Sequence, residues 1–140
     1  MMPNATPINV RGIDHVVIRS RAIDRMLQFY SGVLGCKVER KVDEIGLTQL
    51  RAGSALIDLV DTEGVLGKKG GPPPGPDAHN MDHVCLLIEP WEPDRISAHL
   101  TEHGVTVGAV ETRYGALGIG PSIYIEDPDG NVVELKGPPG

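Results

Sequence analysis

Aromatic side chains are scarce in this sequence. One Phe, one Trp and three Tyr among 140 residues leave Val, Ile and Leu to build any core. Cysteine is scarcer still. Cys36 and Cys85 are too few for a disulfide framework and lack the Cys-x-x-Cys spacing of a zinc site, so both read as reduced, structural thiols. Basic runs are missing apart from Lys68-Lys69, and the formal net charge is −6, which argues against nucleic acid or an anionic membrane as partner. No apolar run approaches the ~18 residues of a membrane span. Residues 1–11 lack the apolar core of a signal peptide, so a cytoplasmic location is expected.

What is present is a repeat. Ile13-Asp14-His15-Val16-Val17-Ile18 is answered by Met81-Asp82-His83-Val84-Cys85-Leu86, two β-branched or apolar segments with Asp-His at matching places. A helix is expected after each. The first runs from about 22 to 34, with Ile23, Met26, Leu27, Tyr30 and Leu34 as its buried stripe and Gly35 as its stop. The second runs from about 93 to 103, opening on Pro93 and burying Ile96 and Leu100. Three strands should follow each helix: 36–41, 47–51 and 55–60 in the first half, and 105–111, 122–126 and 131–136 in the second. Asp127-Pro128-Asp129-Gly130 forms the last turn, where Pro128 presets the backbone and Gly130 takes a positive φ.

The expected organisation is therefore α+β. An arm (1–11) precedes one strand-helix-strand-strand-strand module (12–61), a Gly/Pro-rich linker or mobile loop (62–80) and a second such module (81–136), all within one domain. Alternation places Ile57 and Leu59 opposite Asp58, and Val133 and Leu135 opposite Glu134. A carboxylate flanked by apolar neighbours mid-strand is costly to bury without a cation. Each half thus offers one early histidine and one late carboxylate. If the halves pack about a pseudo-twofold axis, His15, Asp58, His83 and Glu134 face one cavity. Two imidazoles and two carboxylates suit a divalent Ni, Co, Zn, Mn or Fe ion. His79, His99 and His103 have no such symmetry and read as loop and helix-surface residues.

Four stretches carry a family likeness: Ile13-Asp14-His15-Val16; Phe29-Tyr30 with Val33-Leu34-Gly35; Met81-Asp82-His83-Val84; and Asp127 through Leu135. In these the chain resembles the vicinal oxygen chelate superfamily, which includes glyoxalase I, fosfomycin-resistance thiol transferases, extradiol dioxygenases and bleomycin-resistance proteins. The resemblance implies two tandem βαβββ modules in a partly closed mixed β-barrel, usually as a homodimer. It also implies one divalent metal held by His15, Asp58, His83 and Glu134. Asp58 is one methylene shorter than the Glu usual there in glyoxalase I. Without it, His15, His83 and Glu134 resemble the three-ligand site of the thiol transferases and dioxygenases.

The activity expected from the resemblance is glyoxalase-like lyase or isomerase chemistry through a metal-chelated enediolate of a small oxygenated substrate. Glu134 or Asp58 would move the proton while the other holds the metal. Gln49, Arg51 and Tyr124 are candidates for the cavity wall, and Arg113, Tyr114 and the neighbouring glycines for a flexible lid. The alternatives are metal-dependent thiol transfer, extradiol ring cleavage, or sequestration of a drug or metabolite without chemistry.

Overall fold

The computed structural model describes residues 6–140. The expected arm lies partly outside that range, and its described portion is exposed and irregular. Strand β1 (His15–Ser20) leads into helix α1 (Ile23–Leu27), followed by β2 (Lys37–Val42), β3 (Leu47–Ala52) and β4 (Ala55–Asp61). The second half runs β5 (His83–Leu87), α2 (Pro93–Glu102), β6 (Glu111–Gly115), β7 (Gly118–Glu126) and β8 (Val132–Lys136). The sheets are β1-β4-β3-β2 and β5-β8-β7-β6, each with one parallel pair (β1/β4, β5/β8) and antiparallel pairs elsewhere. The architecture is α+β with two four-stranded mixed sheets that do not close into a barrel.

The core lies between the apolar faces of the two sheets and the helices. Ile18, Leu50, Ile57 and Leu59 of the first half join Leu100, Ile123, Ile125, Val133 and Leu135 of the second in one cluster. Each such aliphatic side chain stabilises the fold by roughly 1.5–3 kcal/mol when fully buried. With Ile57, Leu59, Val133 and Leu135 turned inward, alternation directs Asp58 and Glu134 to the opposite face of each sheet.

The first helix departs from regular spacing. After Leu27 it opens into a π-helical turn over Gln28–Val33, closed by Leu34 N–H donating to the Phe29 carbonyl. The wider turn brings both Phe29 and Tyr30 inward, their rings meeting edge to face at 5.0 Å. A 3.6-residue stripe finds Tyr30 and misses Phe29.

Tyr30 then joins the halves. Its hydroxyl donates to Asp127 Oδ2 at 2.7 Å, and Asp127 also accepts from the backbone of Asp129 and Asn131 and from the Asn131 amide. Burial and the Asp127 charge push the Tyr30 phenol well above its ordinary range, so it stays a donor. The Asp-Pro-Asp-Gly turn is thus also a socket for the first helix. Tyr30→Phe leaves a buried carboxylate short of one donor. It should cost about 1–3 kcal/mol, read as a lower urea midpoint at unchanged slope.

Two expectations need correction. The strand expected at 105–111 does not form; pairing begins at Glu111, and the glycine-rich stretch is the paired hairpin β6/β7 instead of an unpaired stretch. Glycine is required there by close approach. A Cβ on Gly120 would lie 2.8 Å from the Gly137 carbonyl oxygen, and Gly118 turns the chain at φ +115°. The Gly/Pro-rich linker is tied down: Arg19 donates to the carbonyls of Gly67, Gly71 and Pro72, and Asn80 donates to the Arg19 carbonyl.

Candidate metal centre

The parallel pairing of β1 with β4 sets Val17 beside Asp58, one pleat from His15. The imidazole Nε2 of His15 lies 3.9 Å from Asp58 Oδ2. In the second sheet Cys85 is registered with Glu134, and His83 Nε2 lies 3.3 Å from Glu134 Oε1. Both carboxylates are buried, while the His15 and His83 side chains are 46% and 34% exposed. The closer approach belongs to the longer side chain. In both pairs Nδ1 meets the preceding aspartate: His15 with Asp14 at 2.7 Å, His83 with Asp82 at 2.6 Å.

A polar row continues across each sheet. Gln49, registered with Asp58 on β3, sends its amide to both Asp58 oxygens at 3.1 Å and accepts from Arg40 on β2. Tyr124 holds the equivalent position opposite Glu134. Its ring meets that of His83 at 5.7 Å and carries the Arg113 guanidinium 4.0 Å above its centroid. Arg113 is steered there by Ser122 Oγ at 2.6 Å and Glu111 at 3.3 Å. The rows are therefore His15–Asp58–Gln49–Arg40 and His83–Glu134–Tyr124–Arg113. Arg51 stays outside them. Its guanidinium is committed to Glu39 through two bonds of 2.8 and 2.9 Å, which raise the arginine pKa and lower that of Glu39.

The four sequence-selected residues form two histidine–carboxylate pairs, one on each sheet. Among the described residues, no three His, Cys, Asp or Glu side chains gather to hold an ion. Each histidine–carboxylate pair lies on the face of its sheet opposite the apolar core. A cleft of about 1130 Å³ lies elsewhere, between the first helix and Val105, Tyr124 and Asp127, and none of the four lines it.

The sequence reading passed over Arg40, and over Asp14 and Asp82 as histidine partners; the twice-repeated Asp-His dipeptide is the signal for the last two. Cys85, read as a structural thiol, is exposed on the face that carries His83. Partial desolvation, then the Glu134 charge, push its thiol up to about 11, so it remains protonated at neutral pH.

Two sheets of βαβββ order, each bearing a histidine–carboxylate pair on its outward face, define a duplicated-module protein. The chain belongs to the Glyoxalase/Bleomycin resistance protein/Dioxygenase superfamily, whose family model matches residues 12–135. It is 35% identical over 131 residues to the glyoxalase domain-containing protein RDO1 of Mycosarcoma maydis, covering 92% of this chain and 69% of that protein. Catechol-2,3-dioxygenase of Bacillus subtilis is 28% identical over 128 residues, but the match spans only 40% of its length. The crystal structure of virulence protein STM3117 from Salmonella typhimurium superimposes with a TM-score of 0.79 at 25% identity, covering 94% of this chain and all of that one. These relatives carry names of different kinds, so family membership alone does not name the reaction. No helix among the described residues is long and apolar enough to cross a membrane.

Proposed function

We propose that the chain is a divalent-metal-dependent enzyme of glyoxalase type. In this reading, His15 and Asp58 of one copy and His83 and Glu134 of a second copy form each site of a homodimer. The observation that carries it is the duplicated pair: in both sheets a histidine Nε2 faces a buried carboxylate. The donor set fits an ion. Neutral imidazole and carboxylate are the ligands that Ni, Co, Zn, Mn and Fe accept, and a cation offsets the burial of two carboxylates. One pair supplies only two donors, and a second copy supplies the rest.

The two carboxylates take different roles. Glu134 lies closer to its histidine, and no side-chain amide occupies it, which favours Glu134 as ligand with His15 and His83. Asp58, set back at 3.9 Å and gripped by Gln49, is the carboxylate left to move a proton. Tyr124 and Arg113 wall the site beside His83, and Gln49 and Arg40 do so beside His15. Arg51, paired to Glu39, stands at the rim. A bound divalent ion would polarise adjacent oxygens of a small substrate. Asp58 would then take a proton from the carbon bearing the hydroxyl and return it to the adjacent carbonyl carbon, while the hydroxyl proton passes to the former carbonyl oxygen.

A second reading is extradiol ring cleavage. It is favoured by the resemblance to catechol-2,3-dioxygenase and by the two-histidine, one-carboxylate set that remains without Asp58, the facial arrangement typical of non-haem Fe(II) oxygenases. The test is calorimetry with Ni²⁺, Co²⁺, Zn²⁺ and Fe²⁺, followed by a screen of the loaded protein against hemithioacetals, epoxides with thiols, and catechols under oxygen. Turnover of hemithioacetals supports the first reading and turnover of catechols the second. Absence of saturable metal binding refutes both.

Binding should depend on pH with a definite sign. Only neutral imidazole ligates. The His15 pKa lies above its ordinary 6.5, raised first by the Asp14 hydrogen bond and then by the Asp58 charge. Protons therefore compete from a higher pH than at a free histidine. Ni²⁺ affinity should already fall before the pH drops to 6.5, and more steeply below it. Metal-free stability runs the other way: the His15 contribution is fully present below pH 6.5 and is lost as pH rises through the raised value. Titration calorimetry and urea melts between about pH 8 and pH 5.5 check both.

A further inference from the structure

We infer that Asp14 and Asp82 are positioning residues, each fixing its neighbouring histidine with the proton on Nδ1 and the lone pair of Nε2 turned toward the carboxylate of its own sheet. The inference rests on the metal-site reading above and extends it to two side chains that would not touch the ion. An ionised carboxylate accepts hydrogen bonds and cannot donate them. At 2.7 Å from Asp14 and 2.6 Å from Asp82, Nδ1 of each ring must therefore carry the hydrogen. In a neutral imidazole that leaves Nε2 unprotonated, and Nε2 is the atom facing Asp58 or Glu134.

A single contact between adjacent surface residues would signify little. Here it occurs twice, at repeat-equivalent positions, in two separate sheets, with the same ring nitrogen used each time. Consecutive strand side chains normally point to opposite faces. His15 and His83 are the first residues of β1 and β5, so each aspartate stands just before its strand and can fold its side chain back to the ring. Asp14 and Asp82 are 91% and 97% exposed, and among the described residues no other side-chain hydrogen bond engages them. Neither packs in the core, so holding the ring is the role their geometry supports. Outer partners of this kind orient a ligating histidine and raise its basicity.

The test uses the full-length protein and its Asp14→Ala, Asp82→Ala, Asp14→Asn and Asp82→Asn variants, with nitrogen-15 spectra of the histidine rings in the metal-free state near pH 8. Wild type should show Nδ1-protonated neutral rings at His15 and His83. Each Ala variant should shift its own ring toward the Nε2-protonated tautomer and lower Ni²⁺ affinity about 10- to 100-fold. Each Asn variant, which keeps an acceptor oxygen, should restore most of both. Unchanged thermal melts separate these effects from misfolding. Tautomers that do not change in the Ala variants overturn the inference, whether or not metal binds. A tautomer shift in protein that binds no Ni²⁺ retains the positioning role and overturns the metal site instead.

Discussion

Glu134→Gln is expected to bind Ni²⁺ at least about 100-fold more weakly than wild type, beyond the 10- to 100-fold range typical of losing an outer-sphere partner. The substitution keeps the shape of the side chain while removing the charge that faces His83 Nε2, at 3.3 Å. Glu134 is buried on the face of its sheet opposite Val133 and Leu135. Because the variant also removes a buried charge, the metal-free protein should be no less stable than wild type. Asp58→Asn provides the contrast. Metal affinity should fall less, because Asp58 stands further from its histidine and already satisfies Gln49, whereas turnover should be lost. Isothermal titration of both variants, with urea melts as the folding control, reads the difference. Equal Ni²⁺ affinity in wild type and Glu134→Gln would remove Glu134 from the site.

Mixing two defective chains should restore binding that neither has alone. One variant carries His15→Ala with Asp58→Asn and damages only the first sheet. The other carries His83→Ala with Glu134→Gln and damages only the second. If each site takes one sheet from each copy, a mixed dimer has one site built from both damaged halves and one built from both intact halves. Random reassortment of equal amounts makes half of the dimers mixed, so about one site in four recovers full affinity. The readout is about a quarter of an equivalent of tightly bound Ni²⁺ per chain after co-refolding, against almost none for either variant separately. No recovery, with dimers present by sedimentation, would mean that the site is not shared between copies.

Much of the architecture was legible because apolar alternation is a local signal. Ile57-Asp58-Leu59 and Val133-Glu134-Leu135 show which side faces the core, and the packed cluster agrees. The hairpin at Arg113–Gly120 was not legible. Its glycines weigh against a strand, and what favours one there is distant in sequence: the backbone at Gly137 leaves no room for a side chain at Gly120, and the Lys136 ammonium donates to the Gly118 carbonyl. Phe29 escaped for a similar reason: a π-helical turn leaves no mark in a 3.6-residue pattern, and packing imposes it. The histidines and carboxylates could be selected from the repeat alone. Their division between two outward faces could not, since periodicity gives the face a residue occupies but not what stands across from it.

That division bears on how such a protein would keep its metal. Tyr30 seated on Asp127, and Arg19 holding the linker, restrain the two halves of one chain in their outward-facing arrangement. An ion shared between two chains is then governed by mass action in protein as well as in metal. Dilution would release metal at constant free-ion concentration, and added metal would tighten subunit association by the same coupling free energy. Metal occupancy would rise with the cellular abundance of the protein itself, so a scarce chain would remain largely unloaded where a plentiful one was filled.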